Sequence, residues 1–192
     1  NNIKLNIQAI QESNDLDADY LANVLLRGRT KDTNGNQQKY LVNPSESQGS
    51  LKVGEEAEIS KAELQGLIDL FQDAKTFGSL LQVPETVCNN LEAWERIVEI
   101  NKQGDLEQQK AVEWLEPLVE QARMLGKEYE CVVTNPPYMG RKSQESKLKE
   151  YLKSRFKGYE SDLFSAFIIR NLQFAAESGR LGFMTPFVWM FI

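Results

Sequence analysis

The residues best placed to do chemistry lie in one short run, YECVVTNPPYMG, at residues 129–140. An apolar stretch stops at Asn135, Pro136 and Pro137 follow, and then comes the ring of Tyr138. A residue before proline is biased towards extended backbone, and each proline has φ nearly fixed. Such a turn has little freedom to lose when a ligand arrives. It offers two acceptors, the Asn135 side-chain oxygen and the Pro136 carbonyl, beside one flat ring. Two converging acceptors and a ring suit a planar heterocycle with an exocyclic amine. That amine is a poor nucleophile, because its lone pair is delocalised into the ring. Accepting hydrogen bonds from both of its N–H groups favours a more pyramidal nitrogen and stabilises the positive charge that builds as it attacks. The Tyr138 ring would stack on the flat face of such a heterocycle. The chain has no histidine, and this chemistry needs none, since the ammonium formed by the attack can shed its proton afterwards.

Positioning that turn requires a frame. YECVVT is a short continuous apolar strand, of the kind buried on both faces of a parallel sheet, and such strands deliver their C-terminal ends to the ligand crevice. Cys131, inside it, reads as a small buried hydrophobe. Downstream, Ser161 is a cap for a helix from 162 to about 177, with Leu163, Phe164, Phe167, Ile168 and Leu172 facing inward and Gly179 closing it. RLGFMTP, residues 180–186, is the next strand. Strand, loop, helix, strand is a parallel α/β unit. Phe164 and Phe187 read as core. Asp162 is either a carboxylate at the edge of the site or a helix N-terminal charge.

Charge is unevenly distributed. Net charge is −6, unlike a typical nucleic-acid binder, yet residues 139–160 carry seven Lys/Arg against three Asp/Glu, which leaves −10 on the first 138 residues. A local basic segment thus follows the turn directly. It is either a solvated surface or a phosphate-facing loop, with Arg141, Lys142 and Lys147 as its candidate DNA contacts.

Upstream, residues 3–10 alternate as a half-buried strand does. Residues 15–26 predict a short helix. Residues 29–58 are polar and turn-rich and read as loop. Ser60 and Glu63 form a capping box, ahead of Leu64, Leu67, Ile68, Phe71 and Ala74 on one helical face. Further helices are expected from 85 to about 103 and from 106 to about 125, split at Gly104-Asp105. Trp94 and Trp114 read as core or helix-pair contacts. The 192 residues suit one domain, or one domain with an insertion. No apolar run approaches the roughly 20 residues of a membrane helix. The two cysteines are far apart, so a zinc site or a Cys-His nucleophile is not expected. Low cysteine use, with no leader-like N-terminus, suits a reducing cytoplasm.

NPPY after an apolar strand resembles the catalytic motif of amino-group methyltransferases that use S-adenosylmethionine, above all the DNA adenine-N6 enzymes. DLFSAFIIRNLQFAAESGRLGFMTPFVWM is similar to their next segment. The whole resembles most the PglX-type adenine methyltransferases of phage-defence (BREX) systems and related restriction–modification enzymes. The clear match covers residues 129–192, and IKLNIQAIQES, residues 3–13, weakly resembles the strand that carries the family's cofactor-adenine contact. It implies an α/β fold: part of a Rossmann-like methyltransferase core, with parallel strands and helices, carrying a largely helical insertion. Residues 1–14 would be a core strand segment, 15–128 the insertion and 129–192 the motif-bearing part of the core. It also implies catalytic roles for Asn135, Pro136, Pro137 and Tyr138, and a place for Glu12 near the cofactor adenine. The implied cofactor is S-adenosylmethionine. The implied partners are double-stranded DNA and other defence-system proteins, with no metal and no membrane. The same tetrapeptide serves methyltransferases of protein glutamine or RNA guanine; the basic loop and FVWM favour DNA adenine. A non-catalytic interaction module is the reading from another class. The family's glycine-rich cofactor loop is missing here and the chain stops in apolar FVWMFI, so we expect an internal piece of a larger enzyme, inactive alone.

Overall fold

A computed structural model describes residues 8–26, 29–31, 37–39, 50–52 and 58–187. The chain forms two compact units, Asn1–Lys75 with Val83–Met124, and Thr76–Gln82 with Leu125–Ile192.

In the first unit, helix α1 spans Ala18–Leu25, with Asp17 as its N-cap accepting from the Asp19 and Tyr20 amides. Two antiparallel pairs follow, β1 (Arg29–Lys31) with β2 (Gln37–Lys39) and β3 (Ser50–Lys52) with β4 (Glu58–Ser60). The stretch expected to be loop therefore contains short paired strands. Its other residues, 32–36, 40–49 and 53–57, lie outside the described ones.

Helix α2 (Lys61–Leu70) opens on the expected capping box: Ser60 Oγ accepts from the Glu63 amide, and Glu63 accepts from the Ser60 amide. Replacing such a cap with alanine costs about 1 kcal/mol. Leu64, Leu67, Ile68, Phe71 and Ala74 are all buried, as their spacing predicts. Helix α3 is Ala74–Phe77. The expected helix from 85 to about 103 is divided into α4 (Glu85–Asn89) and α5 (Leu91–Lys102) at Asn90. Helix α6 runs Leu106–Gly126, tolerating Pro117 inside it. Trp94, Ile97, Leu115 and Phe71 are almost wholly buried, each contributing about 1.5–3 kcal/mol by burial.

The alternation near the N-terminus predicts a strand. Residues 8–13 are not one, and residues 3–7 lie outside the described ones. Side chains stitch this segment down instead. The Gln11 backbone N–H and carbonyl pair with the two ends of the Gln121 amide at 2.9 and 3.1 Å, and the Ser13 amide donates to the Phe71 carbonyl.

In the second unit, β5 (Tyr129–Thr134) pairs in parallel with β6 (Ala175–Phe183). Between them lie α7 (Ser146–Arg155) and α8 (Leu163–Phe174). Helix α7 falls in the segment read as a basic loop. Leu148, Leu152 and Phe156, four residues apart, bury one face of it in a cluster with Leu80, Leu163 and Ala166. Helix α8 is capped by Asp162, not Ser161, and ends at Phe174 rather than near 177. Strand β6 begins at once and absorbs a bulge between the Tyr129–Ala175 and Cys131–Arg180 pairs. Gly179 lies in that bulge and is not the expected helix cap. A Cβ there would sit 2.9–3.0 Å from backbone atoms of Ala176 and Tyr129, so only glycine lets the strands close. Leu172 is exposed, not inward.

Arg170 is buried and ties this unit together. It donates to the carbonyls of Ser79 (3.0 Å), Leu81 (2.7 Å) and Leu125 (2.8 Å). Its guanidinium lies 3.9 Å from the Phe174 ring centroid. Among the described residues, no helix is long and apolar enough to cross a membrane, and no group of three or more metal-binding side chains occurs.

Candidate active site

Strand β5 ends at Thr134, and the turn leaves from its C-terminal edge. The sheet register fixes where it starts: Thr134 pairs with Phe183, and the Met184 amide donates to the Thr134 carbonyl at 3.0 Å. Pro136 is buried and seats the corner, while Asn135 and Pro137 are exposed. The Asn135 side chain has no hydrogen-bond partner among the described residues.

Tyr138 is 55% exposed and held from two sides. Its hydroxyl donates to the Met184 carbonyl at 2.8 Å, and its ring meets Phe164 edge-on, at 6.3 Å and 88°. A phenol is a strong donor and this carbonyl is a neutral acceptor, so the ring is steered by one hydrogen bond and one quadrupole contact. More than half of the residue stays exposed to solvent.

Beyond Tyr138 the chain is bolted to the start of α8. The Met139 carbonyl accepts from the Leu163 amide (3.0 Å) and from Gln144 Nε2 (3.1 Å). The Arg141 amide donates to the Ser161 carbonyl, and Gly140 bridges Asp162. Asp162 caps the helix, accepting from the Phe164 amide at 3.4 Å, while its other carboxylate oxygen lies 3.7 Å from where a Gly140 Cβ would stand. Gln144 and Met184 were not anticipated. No local sequence pattern signals them, because each acts through a backbone group set by tertiary register.

Arg141, Lys142 and Lys147 are all exposed in this same unit, and Lys153, Arg155 and Lys157 join them on and just after α7. The Glu160 carboxyl sits among them below its ordinary range, held down first by its own backbone N–H and that of Gly158, then by the positive charge of Arg141 and Lys153.

Two expectations are corrected here. Cys131 is exposed and Val133 is 77% exposed, so β5 is not covered on both faces by described residues; an apolar run says that a strand wants cover, not which segment supplies it. Phe187 is also exposed rather than core, and residues 188–192 lie outside the described ones. Glu12 belongs to the first unit, where its carboxylate accepts from the Lys75 amide at 3.1 Å and meets the Lys75 ammonium at 3.7 Å.

The second unit thus runs strand, proline-locked amide turn, capped helix and parallel strand. The profile of the Eco57I restriction-modification methylase family matches residues 49–192, and the chain belongs to that family. It is 38% identical over 130 residues to the adenine-specific methyltransferase BrxX of Escherichia coli O9:H4 (strain HS), covering 67% of this chain and 11% of that protein. It is 27% identical over 139 residues to the adenine-specific methyltransferase PglX of Lacticaseibacillus casei (strain Zhang), covering 70% of this chain and 12% of that protein. The chain therefore spans about a tenth of the length of the relatives it matches.

Proposed function

We propose that the protein to which this chain belongs transfers a methyl group from S-adenosylmethionine to the exocyclic N6 of adenine in double-stranded DNA, within a restriction–modification or phage-defence system. The observation that carries this reading is the state of Asn135: an exposed, uncommitted amide at the C-terminal end of a parallel strand, beside a tyrosine ring clamped in place. The names of both relatives, adenine-specific methyltransferases, support it.

In this reading the Asn135 oxygen and the Pro136 carbonyl accept the two N–H groups of the target amine. The prolines hold both acceptors in advance, so little reorganisation accompanies the reaction. Tyr138 stacks on the flipped base, and its tie to Met184 keeps the ring upright before the base arrives. Arg141, Lys142 and Lys147 face phosphates. This unit is then one edge of a Rossmann-like core, and the largely helical first unit is the insertion.

Among the described residues, none but Glu12 is implied as a contact for the methyl donor. Glu12, the contact implied by resemblance, has its carboxylate engaged by Lys75. We assign donor binding to segments of the parent outside this chain and expect the chain alone to be inactive.

The test is Asn135→Ala in the full parent, assayed for methyl incorporation into DNA at saturating substrate. Loss of an acceptor aimed at developing charge costs about 10²–10³ in kcat, with DNA affinity retained. Unchanged incorporation would remove Asn135 from the chemistry.

A further inference from the structure

We propose that a cleft in the first unit, lined from α1 and α6, docks an arginine or lysine side chain carried by a basic segment of a partner protein. The cleft encloses about 290 Å³ and is lined by Asp15, Leu16, Asp17, Tyr20, Leu21 and Trp114. Leu21 is fully buried and makes its floor. Tyr20 and Trp114 are 39% and 46% exposed, with ring centroids 6.3 Å apart and planes tilted by 55°. Neither the Tyr20 hydroxyl nor the Trp114 indole N–H has a hydrogen-bond partner among the described residues. Two large rings are thus left open to a ligand at one spot.

The carboxylates at the mouth say which ligand. Asp17 accepts from the Asp19 and Tyr20 amides as a helix cap, and Asp15 is exposed; neither has a cationic partner among the described residues. Asp19, one turn away, is different, since Lys61 pairs with it. Ring faces attract a cation, and carboxylates without a cationic partner reward one that can also donate hydrogen bonds. A guanidinium does both, stacking flat while its edge reaches an acid. The net −9 on residues 1–75 and 83–124 steers positive segments towards this unit and disfavours DNA phosphate. This site is independent of the amide turn.

The probe is acetyl-Gly-Arg-Gly-amide, with the uncharged citrulline peptide as control, titrated into this 192-residue chain while the indole N–H signals are followed by nuclear magnetic resonance. The Trp114 signal, assigned by its loss in Trp114→Leu, is expected to move saturably with the arginine peptide and not with citrulline. Asp15→Asn, an exposed change whose fold is checked by circular dichroism, is expected to weaken binding about three-fold, and added salt to weaken it further. Equal shifts with citrulline, no shift at millimolar peptide, or unchanged affinity in Asp15→Asn would overturn the proposal. So would sedimentation showing a dimer that Asp15→Asn dissociates, because the occupant would then be a second copy of this chain.

Discussion

Tyr138 and Met184 are joined by a 2.8 Å hydrogen bond from phenol to main-chain carbonyl, across 46 residues of sequence. It ties the turn after one parallel strand to the end of its neighbour. The hydroxyl and the ring then have separable duties. Tyr138→Phe keeps the stacking face and loses about 1 kcal/mol of stability at most, with methylation by the parent largely retained. On the proposed reading, Tyr138→Ala removes a base–ring stack of about 1–3 kcal/mol, and single-turnover methylation should fall roughly ten-fold or more. Equal effects of the two substitutions would assign the hydroxyl, not the ring, the main role.

Arg141, Lys142 and Lys147 are exposed beside the turn. If they meet phosphates, neutralising all three should weaken DNA binding by the parent uniformly across sequences. The slope of log affinity against log salt should fall by about 0.9 for each phosphate that a removed cation had neutralised. Fluorescence anisotropy at several salt concentrations measures it. A weaker complex with an unaltered slope would place these residues off the backbone.

Arg170 is the buried charge on which the second unit depends. Arg170→Met leaves the carbonyls of Ser79, Leu81 and Leu125 without this donor. A buried carbonyl left unsatisfied costs about 1–3 kcal/mol, so the loss should be large. Arg170→Lys should rescue little, because an ammonium cannot match the planar fork. Urea unfolding of the three proteins decides the matter.

Tyr151 gives the fold an alkaline limit. Its hydroxyl donates to the Leu80 carbonyl at 3.0 Å, its ring stacks on Phe77, and burial raises its pKa above the ordinary value of 10.0. The folded state thus favours the protonated phenol. The associated stability is fully present below the unfolded value and is lost as pH rises through the higher folded one. Tyr151→Phe should remove this part of the alkaline decline, read from urea midpoints across that window.

Some of this was written locally in the chain. The bounds of β5 follow from six apolar-rich residues stopped by Asn-Pro-Pro, and the Ser60–Glu63 box marks the start of α2 because both partners lie three residues apart. Helix α7 was also present, in Leu148, Leu152 and Phe156 at intervals of four, but seven nearby positive charges masked so narrow a stripe. Other features depend on distant partners. The engagement of Glu12 by Lys75, the exposure of Cys131 and Val133, and the carbonyl that receives the Tyr138 hydroxyl are set by packing between segments far apart in sequence. The bulge at Gly179 looked like a helix stop because glycine permits both, and only the approach of Tyr129 distinguishes them.

Strands β5 and β6 end level, Thr134 opposite Phe183, and each soon runs into proline, at Pro136 and Pro186. Neither exit can stretch to forgive an error. A slip of one residue along either strand would turn its whole side-chain set to the opposite face. Damage to this corner is therefore quantised: the amide is either seated or thrown to the far side, and variation has no gentle slope along which to tune it.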